Sequence, residues 1–155
     1  MPALKRVKRI SSDNKTGSFV GSEFAYEDLS SQEIEKYTYK WIEDVPCPGK
    51  KELSCFVNED YPVEKNSGYT KRVLWMDYYE FRVWKIDFYD RKDSLLKTLT
   101  FSDYKQYLEK YWRAHFLHMV NHNTRKETEI IIESIVFQSG LKDNDFNRQA
   151  LKRVR

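Results

Sequence analysis

The residues with the most chemical potential are His115, His118 and His122, the only histidines in a chain of 155 residues. On a helix their spacing of three and four would set all three on one face, a metal-binding arrangement. On a strand His118 and His122 share a face about 13 Å apart and His115 points the other way, which leaves no metal set. The strand reading is preferred below, so no metal is expected. Cys47 and Cys55 flank Pro48-Gly49-Lys50-Lys51. They could close a disulfide across a hairpin or remain two thiols, and without histidines at ligand spacing they make a poor zinc site. No Gly-x-Ser-x-Gly elbow and no phosphate-cradling glycine loop occurs. The acids Glu80, Asp87 and Asp90 read as strand and turn residues facing water. The chain is therefore read as a non-enzyme without a cofactor.

What remains is a set of aromatic and aliphatic side chains. Leu74, Trp75, Met76, Trp84, Ile86 and Phe88 come from one stretch, and Leu99, Phe101, Leu117, Met119, Ile130 and Ile132 from those after it. Any one of them can be ordinary core. Together, on a sheet with too few helices to cover it, they would line an apolar groove, and large rings with flexible Met suit ligands that offer no directional bonds.

These residues must be positioned by strands. Gly68 to Asp90 reads as two strands joined by a polar-aromatic turn, with Trp84, Ile86 and Phe88 on one face and Phe81, Val83, Lys85, Asp87 and Tyr89 on the other. Residues 37 to 43, YTYKWIE, alternate strictly, and 52 to 58 are their hairpin partner across the Cys-Pro-Gly turn. Residues 95 to 102 form another strand. From 103 to 122 the pattern allows either one helix or a strand, a turn at Glu109-Lys110 and a second strand. Residues 127 to 137, with three consecutive Ile, disfavour a helix. Residues 3 to 10 alternate as a short strand. Short helices are expected near 22 to 36, with Ser30 and Glu33 as a capping box, and near 143 to 151, docking Phe146 and Leu151.

The totals agree with one mainly β domain over 1–155. Nine Phe, 11 Tyr and 4 Trp favour a sheet with two occupied faces, while 5 Gly and 4 Pro argue against low complexity. The net charge of +3 is concentrated as basic excess at the two ends. A nucleic-acid binder usually gathers such charge where its recognition elements lie, so no nucleic-acid partner is expected. No run of 18 apolar residues and no N-terminal apolar signal region is seen.

Several segments in this order resemble the outer-membrane lipoprotein-sorting protein family, whose fold is similar to that of the LolA-type periplasmic carriers. They are LKRVKRISS with GSFVGSEFAYEDL, then VLWMD, KIDFYD, LKTLTFSDYK, Trp112 with Met119-Val120-Asn121, and Gly140, Leu141, Asp143 and Phe146. The resemblance implies a curved antiparallel sheet forming an incomplete barrel, and strand, turn, strand for residues 103 to 122. It implies a periplasmic carrier of lipid or lipoprotein acyl chains, with an inner-membrane transporter as a partner. Phe19, Val20, Phe24 and Tyr26 would form a lid over the mouth of the barrel. Members carry a signal peptide and a leading helix-and-strand segment, so this chain reads as the C-terminal part of the family's domain. An incomplete barrel with open edges suggests a homodimer, in which the N-terminal strand or the helical segment of one copy covers the other. The alternative reading is an interaction or sensor module holding a peptide on the same face.

Overall fold

The computed structural model describes residues 14–30, 33–147 and 149–150. The strand expected at residues 3 to 10 and Leu151 lie outside them. Seven strands, β1 (Tyr37–Cys47), β2 (Lys50–Pro62), β3 (Lys71–Asp77), β4 (Val83–Tyr89), β5 (Leu95–Tyr107), β6 (Tyr111–Asn121) and β7 (Glu127–Ile131), form one sheet in chain order. Every neighbouring pair is antiparallel. The sheet is curved and unclosed, as expected of an incomplete barrel.

Turn chemistry accounts for the meander. Pro48 and Gly49 (φ 71°) sit between the paired Cys47 and Lys50 and supply the residue types of a type II turn. The 103–122 segment resolves as strand, turn, strand. Leu108 and Glu109 both take positive φ, 51° and 55°, and the Lys110 N–H donates to the Tyr107 carbonyl at 3.1 Å. The reversal thus centres one residue earlier than Glu109-Lys110.

Where short helices are expected, the described residues hold 3-10 turns at Ile34–Lys36 and Asp143–Phe146, and helical residues at 149–150 whose N–H groups donate to Asn147 Oδ1. Glu33, not Ser30, precedes the first of them, and the Ser30 hydroxyl instead donates to the Glu27 carbonyl at 2.8 Å. Residues 14 to 30 are held by turns and by one isolated bridge, Ser18 with Ala25. Phe146 does not dock: it is 69% exposed. Among the described residues, no helix is long and apolar enough to cross a membrane.

The sheet carries two apolar clusters. Phe24, Tyr69, Leu74, Ile86, Phe88, Leu99 and Met119 form the larger, with Val83, Leu96, Phe101, Leu117 and Ile130 packed against it. The smaller holds Cys47, Cys55 and Trp84, with Leu53, Trp75 and Tyr104. Trp84 is therefore not on the face of Ile86 and Phe88. Between the pairs Trp75↔Lys85 and Met76↔Val83, β4 carries one extra residue, and that residue is Trp84. The bulge exchanges the expected faces, sending Trp84 to the disulfide cluster and Val83 to the larger core. Asp87 does not face water either: it is buried, lies 2.7 Å from Lys85 Nζ and accepts the Thr98 hydroxyl at 2.6 Å.

Candidate functional site

Cross-strand pairing arranges the larger core in three rows. In the first, Leu74, Ile86, Leu99, Met119 and Thr128 stand opposite one another across β3 to β7. Phe101, Leu117 and Ile130 make a second row. On the other side of the first row runs a polar one, Asp60, Arg72, Phe88, Lys97 and Asn121. Opposed side chains on one face lie close enough to pack, so each row acts as a unit.

The polar row holds the 14–30 segment onto the sheet. The Lys97 ammonium reaches the Asp28 carboxylate at 2.6 Å and donates to the Glu23 carbonyl at 3.1 Å. Asp28 also accepts the Tyr69 hydroxyl at 2.7 Å and the Ala25 N–H at 2.6 Å. Asn121 donates to Glu23 Oε2 at 2.6 Å, and the Glu23 N–H to Thr128 Oγ1 at 3.1 Å. Glu27 accepts from the Gly68 N–H at 2.9 Å and the Ser67 hydroxyl at 3.0 Å. Burial pushes the Glu27 carboxyl up despite those two bonds, and burial with the nearby Asp28 charge pushes the Tyr69 phenol far up. Gly68 admits Glu27 at this contact because a Cβ there would lie 2.8 Å from its Oε1.

This clasp delivers one ring to the sheet. Phe24 is 1% exposed, inside the larger core. The other expected lid residues stay outside. Val20 is 82% exposed, Phe19 is 38% exposed, and Tyr26 meets Phe19 edge to face at 5.7 Å. A cavity of about 110 Å³ lies beside Phe24, between Tyr69, Arg72, Ile86, Phe101 and Leu117. Arg72 is buried and bonds Asp60 at 2.9 Å, while its Nε has no hydrogen-bond partner among the described residues. Burial pushes the Asp60 carboxyl up, and Arg72 pulls against that.

A larger opening lies where the sheet splits. The β4–β5 ladder ends at Lys85↔Thr100, whereas β5 runs on to Tyr107 paired only with β6. The Tyr104 hydroxyl donates to the Val83 carbonyl across the gap. The resulting cleft, of about 480 Å³, is lined by Val83, Ile86, Phe101, Leu117 and Ile132, and also by Arg82, Lys110 and Arg113. That volume falls in the range of small-molecule sites. Ile86, Phe101 and Leu117 line both the cleft and the cavity beside Phe24.

Of the twelve expected groove residues, Leu74, Ile86, Phe88, Leu99 and Met119 are buried together, with Phe101, Leu117 and Ile130 against them. Ile132 lines the cleft, and Met76 stands opposite Val83. Trp75 and Trp84 belong to the other cluster, where Lys85 Nζ lies 4.2 Å from the Trp75 ring centroid. Val83, Tyr69, Arg82 and Trp112 also line the cleft or the cavity, although neither residue type nor alternation places them there. Val83 follows from the bulge, and Tyr69 is brought in by its bond to Asp28, 41 residues away.

The cysteines are bonded, Cys47 to Cys55, with Cα atoms 4.9 Å apart. The histidines have separate partners. His115 Nδ1 bonds the Ile132 carbonyl at 2.5 Å and Nε2 bonds Tyr107 Oη at 2.6 Å. His118 meets Glu127 at 2.9 Å, and His122 meets Thr98 at 2.8 Å. Next to the disulfide cluster, Asp77 is fully buried. Burial pushes its carboxyl up, but the Glu80 N–H, Arg82 and Trp84 bonds outweigh that and hold it below the usual range.

A family model whose description reads "Uncharacterized protein" matches residues 1–153. No curated protein matches the chain. Among solved structures, an outer membrane lipoprotein-sorting protein domain from Vibrio parahaemolyticus is similar at a TM-score of 0.93 and 59% identity, over 99% of this chain and 64% of that one. A DUF1329 family protein from Desulfovibrio piger is similar at 0.87 and 27% identity, over 97% and 62%. A LolA superfamily protein from Nitrosomonas europaea is similar at 0.68 and 18% identity, over 97% and 65%, a likeness of fold. The chain thus spans less than two thirds of each of these proteins. By the match over nearly its whole length and the 59%-identical domain, the chain belongs to the outer membrane lipoprotein-sorting protein family, DUF1329, with a LolA-like fold.

Proposed function

We propose that the chain is a non-catalytic carrier that binds lipid or lipoprotein acyl chains in the cleft between β4 and β5. The observation that carries this reading is the floor of Ile86, Phe101 and Leu117, which runs from the open cleft to the cavity beside Phe24. An acyl chain entering along this floor would move toward Phe24, and each CH₂ removed from water would contribute about 0.8 kcal/mol. The wider binding set is Leu74, Phe88, Leu99, Met119, Ile130 and Ile132. Phe24 acts as the plug of the lid, and Phe19, Val20 and Tyr26 as its outer part. Met76, Trp75 and Trp84 support the wall.

The Cys47–Cys55 disulfide suits an oxidising compartment, in keeping with a periplasmic location. A membrane transporter that loads the carrier is the partner this reading calls for. Residues 1–155 act as a single LolA-like domain, the C-terminal part of a longer family domain. The outer edges of β1 and β7, unpaired within the seven-stranded sheet, would receive a second copy. Light scattering at micromolar protein tests that point, and a monomer mass would refute it. Native mass spectrometry tests the carrier itself. Lipid retained on the purified protein supports it, whereas a retained peptide would favour an interaction module.

A further inference from the structure

We propose that the cleft is built for an anionic amphiphile: the acyl chain lies on the floor and a phosphate or carboxylate headgroup is held at the border by Arg82, Lys110 and Arg113. This rests on the acyl-chain reading above and names the headgroup class that goes with it. Among the described residues lining the cleft, Glu80 is the only carboxylate, against those three cations. Neither Lys110 nor Arg113 has a carboxylate within ion-pair distance among the described residues. Arg113 is fixed instead by one bond from Nη1 to the Trp112 carbonyl at 2.7 Å and by the nearby Tyr111 and Phe137 rings. Lys110 Nζ lies 5.4 Å from the Tyr111 ring centroid.

Arg82 is positioned differently. Its Nε donates to Asp77 Oδ2 at 2.9 Å, and its guanidinium lies 4.7 Å from the Trp112 ring centroid. Asp77 thus anchors it through one nitrogen, and among the described residues its two Nη groups have no hydrogen-bond acceptor. Guanidinium and ammonium groups lining the same cleft as an apolar floor complement an oxygen anion at the end of a hydrocarbon chain. A neutral or cationic headgroup would leave the border charge uncompensated.

The test compares two lysophospholipids with the same C16 chain, lysophosphatidylglycerol and lysophosphatidylcholine, titrated below their micelle concentrations and followed by tryptophan fluorescence. The anionic lipid should bind about 5- to 10-fold more tightly than the zwitterionic one. In K110Q/R113Q that ratio should fall to near one, and in K110R/R113K it should persist. In the wild-type protein the ratio should also shrink as salt is raised, because border charges are screened. A wild-type ratio near one, or a ratio that survives in K110Q/R113Q, overturns the headgroup site but leaves acyl binding intact. Failure of both lipids to bind the wild-type protein overturns the acyl-chain reading as well.

Discussion

Lys97 and Asp28 lie 69 residues apart in the chain and 2.6 Å apart in the fold, their side chains 4% and 0% exposed. This pair ties the 14–30 segment over the larger core. K97M leaves the Asp28 carboxylate buried and uncompensated and should cost about 3–5 kcal/mol in urea unfolding. The double variant D28N/K97M should recover part of that loss, since it removes both charges. A K97M cost within experimental error of zero would show that the pair does not hold the segment.

Phe24 is the ring this pair delivers. F24A should cost about 3–5 kcal/mol, the usual range for emptying a buried aromatic site. It should also join the space left by the ring to the neighbouring cavity, so a fluorescent fatty-acid probe should bind more tightly. Probe affinity equal to that of the wild-type protein would argue against Phe24 as a plug.

Asp77 links pH to stability. Its carboxyl is held below the usual range, so the folded state binds fewer protons than the unfolded state near the ordinary aspartate pKa. Its contribution is therefore fully present above the unfolded pKa and is lost as pH falls through the folded one. D77N, which breaks the Arg82 pair, should lower the urea midpoint at pH 7 and pH 5 by the same amount. The gap from wild type should narrow as pH drops below about 4. A gap that stays constant down to pH 2 would contradict the assignment.

The Cys47–Cys55 bond closes a short loop, with a sequence separation of 8. Reduction, or C47S/C55S, should cost about 2–3 kcal/mol by loop entropy. The melting temperature with and without dithiothreitol measures this directly, and coincident melts would exclude a stabilising role.

Much of the sheet was legible from the residues. The strict alternation of Tyr37 to Glu43 and the Cys-Pro-Gly turn mark the β1–β2 hairpin because period-2 patterning and turn chemistry are local. Trp84 shows where that locality ends. Its residue type and spacing put it with Ile86 and Phe88, and only the pairing of β3 reveals the bulge that moves it. Residues 103 to 122 satisfied both a helical and a strand period, so spacing could not decide between them and the family resemblance did. In the lid, Phe24, Phe19 and Val20 are alike in hydrophobicity. The bonds of Asp28, Glu23 and Glu27 to distant strands and to the loop before β3 select Phe24 for burial, and such long-range bonds leave no periodic trace in a sequence.

The acyl site on the floor of Ile86, Phe101 and Leu117 is tested most directly by titrating a fluorescent fatty acid into the wild-type protein and into L117E, with the fold of each verified by its far-UV spectrum. The substitution puts a carboxylate on that floor while Phe24, Arg82, Lys110 and Arg113 keep their own side chains. Saturable binding to the wild-type protein and at least about tenfold weaker binding to folded L117E is the expected result. Equal affinity in the two proteins, or no saturable binding to the wild type, would contradict an acyl-chain site between β4 and β5.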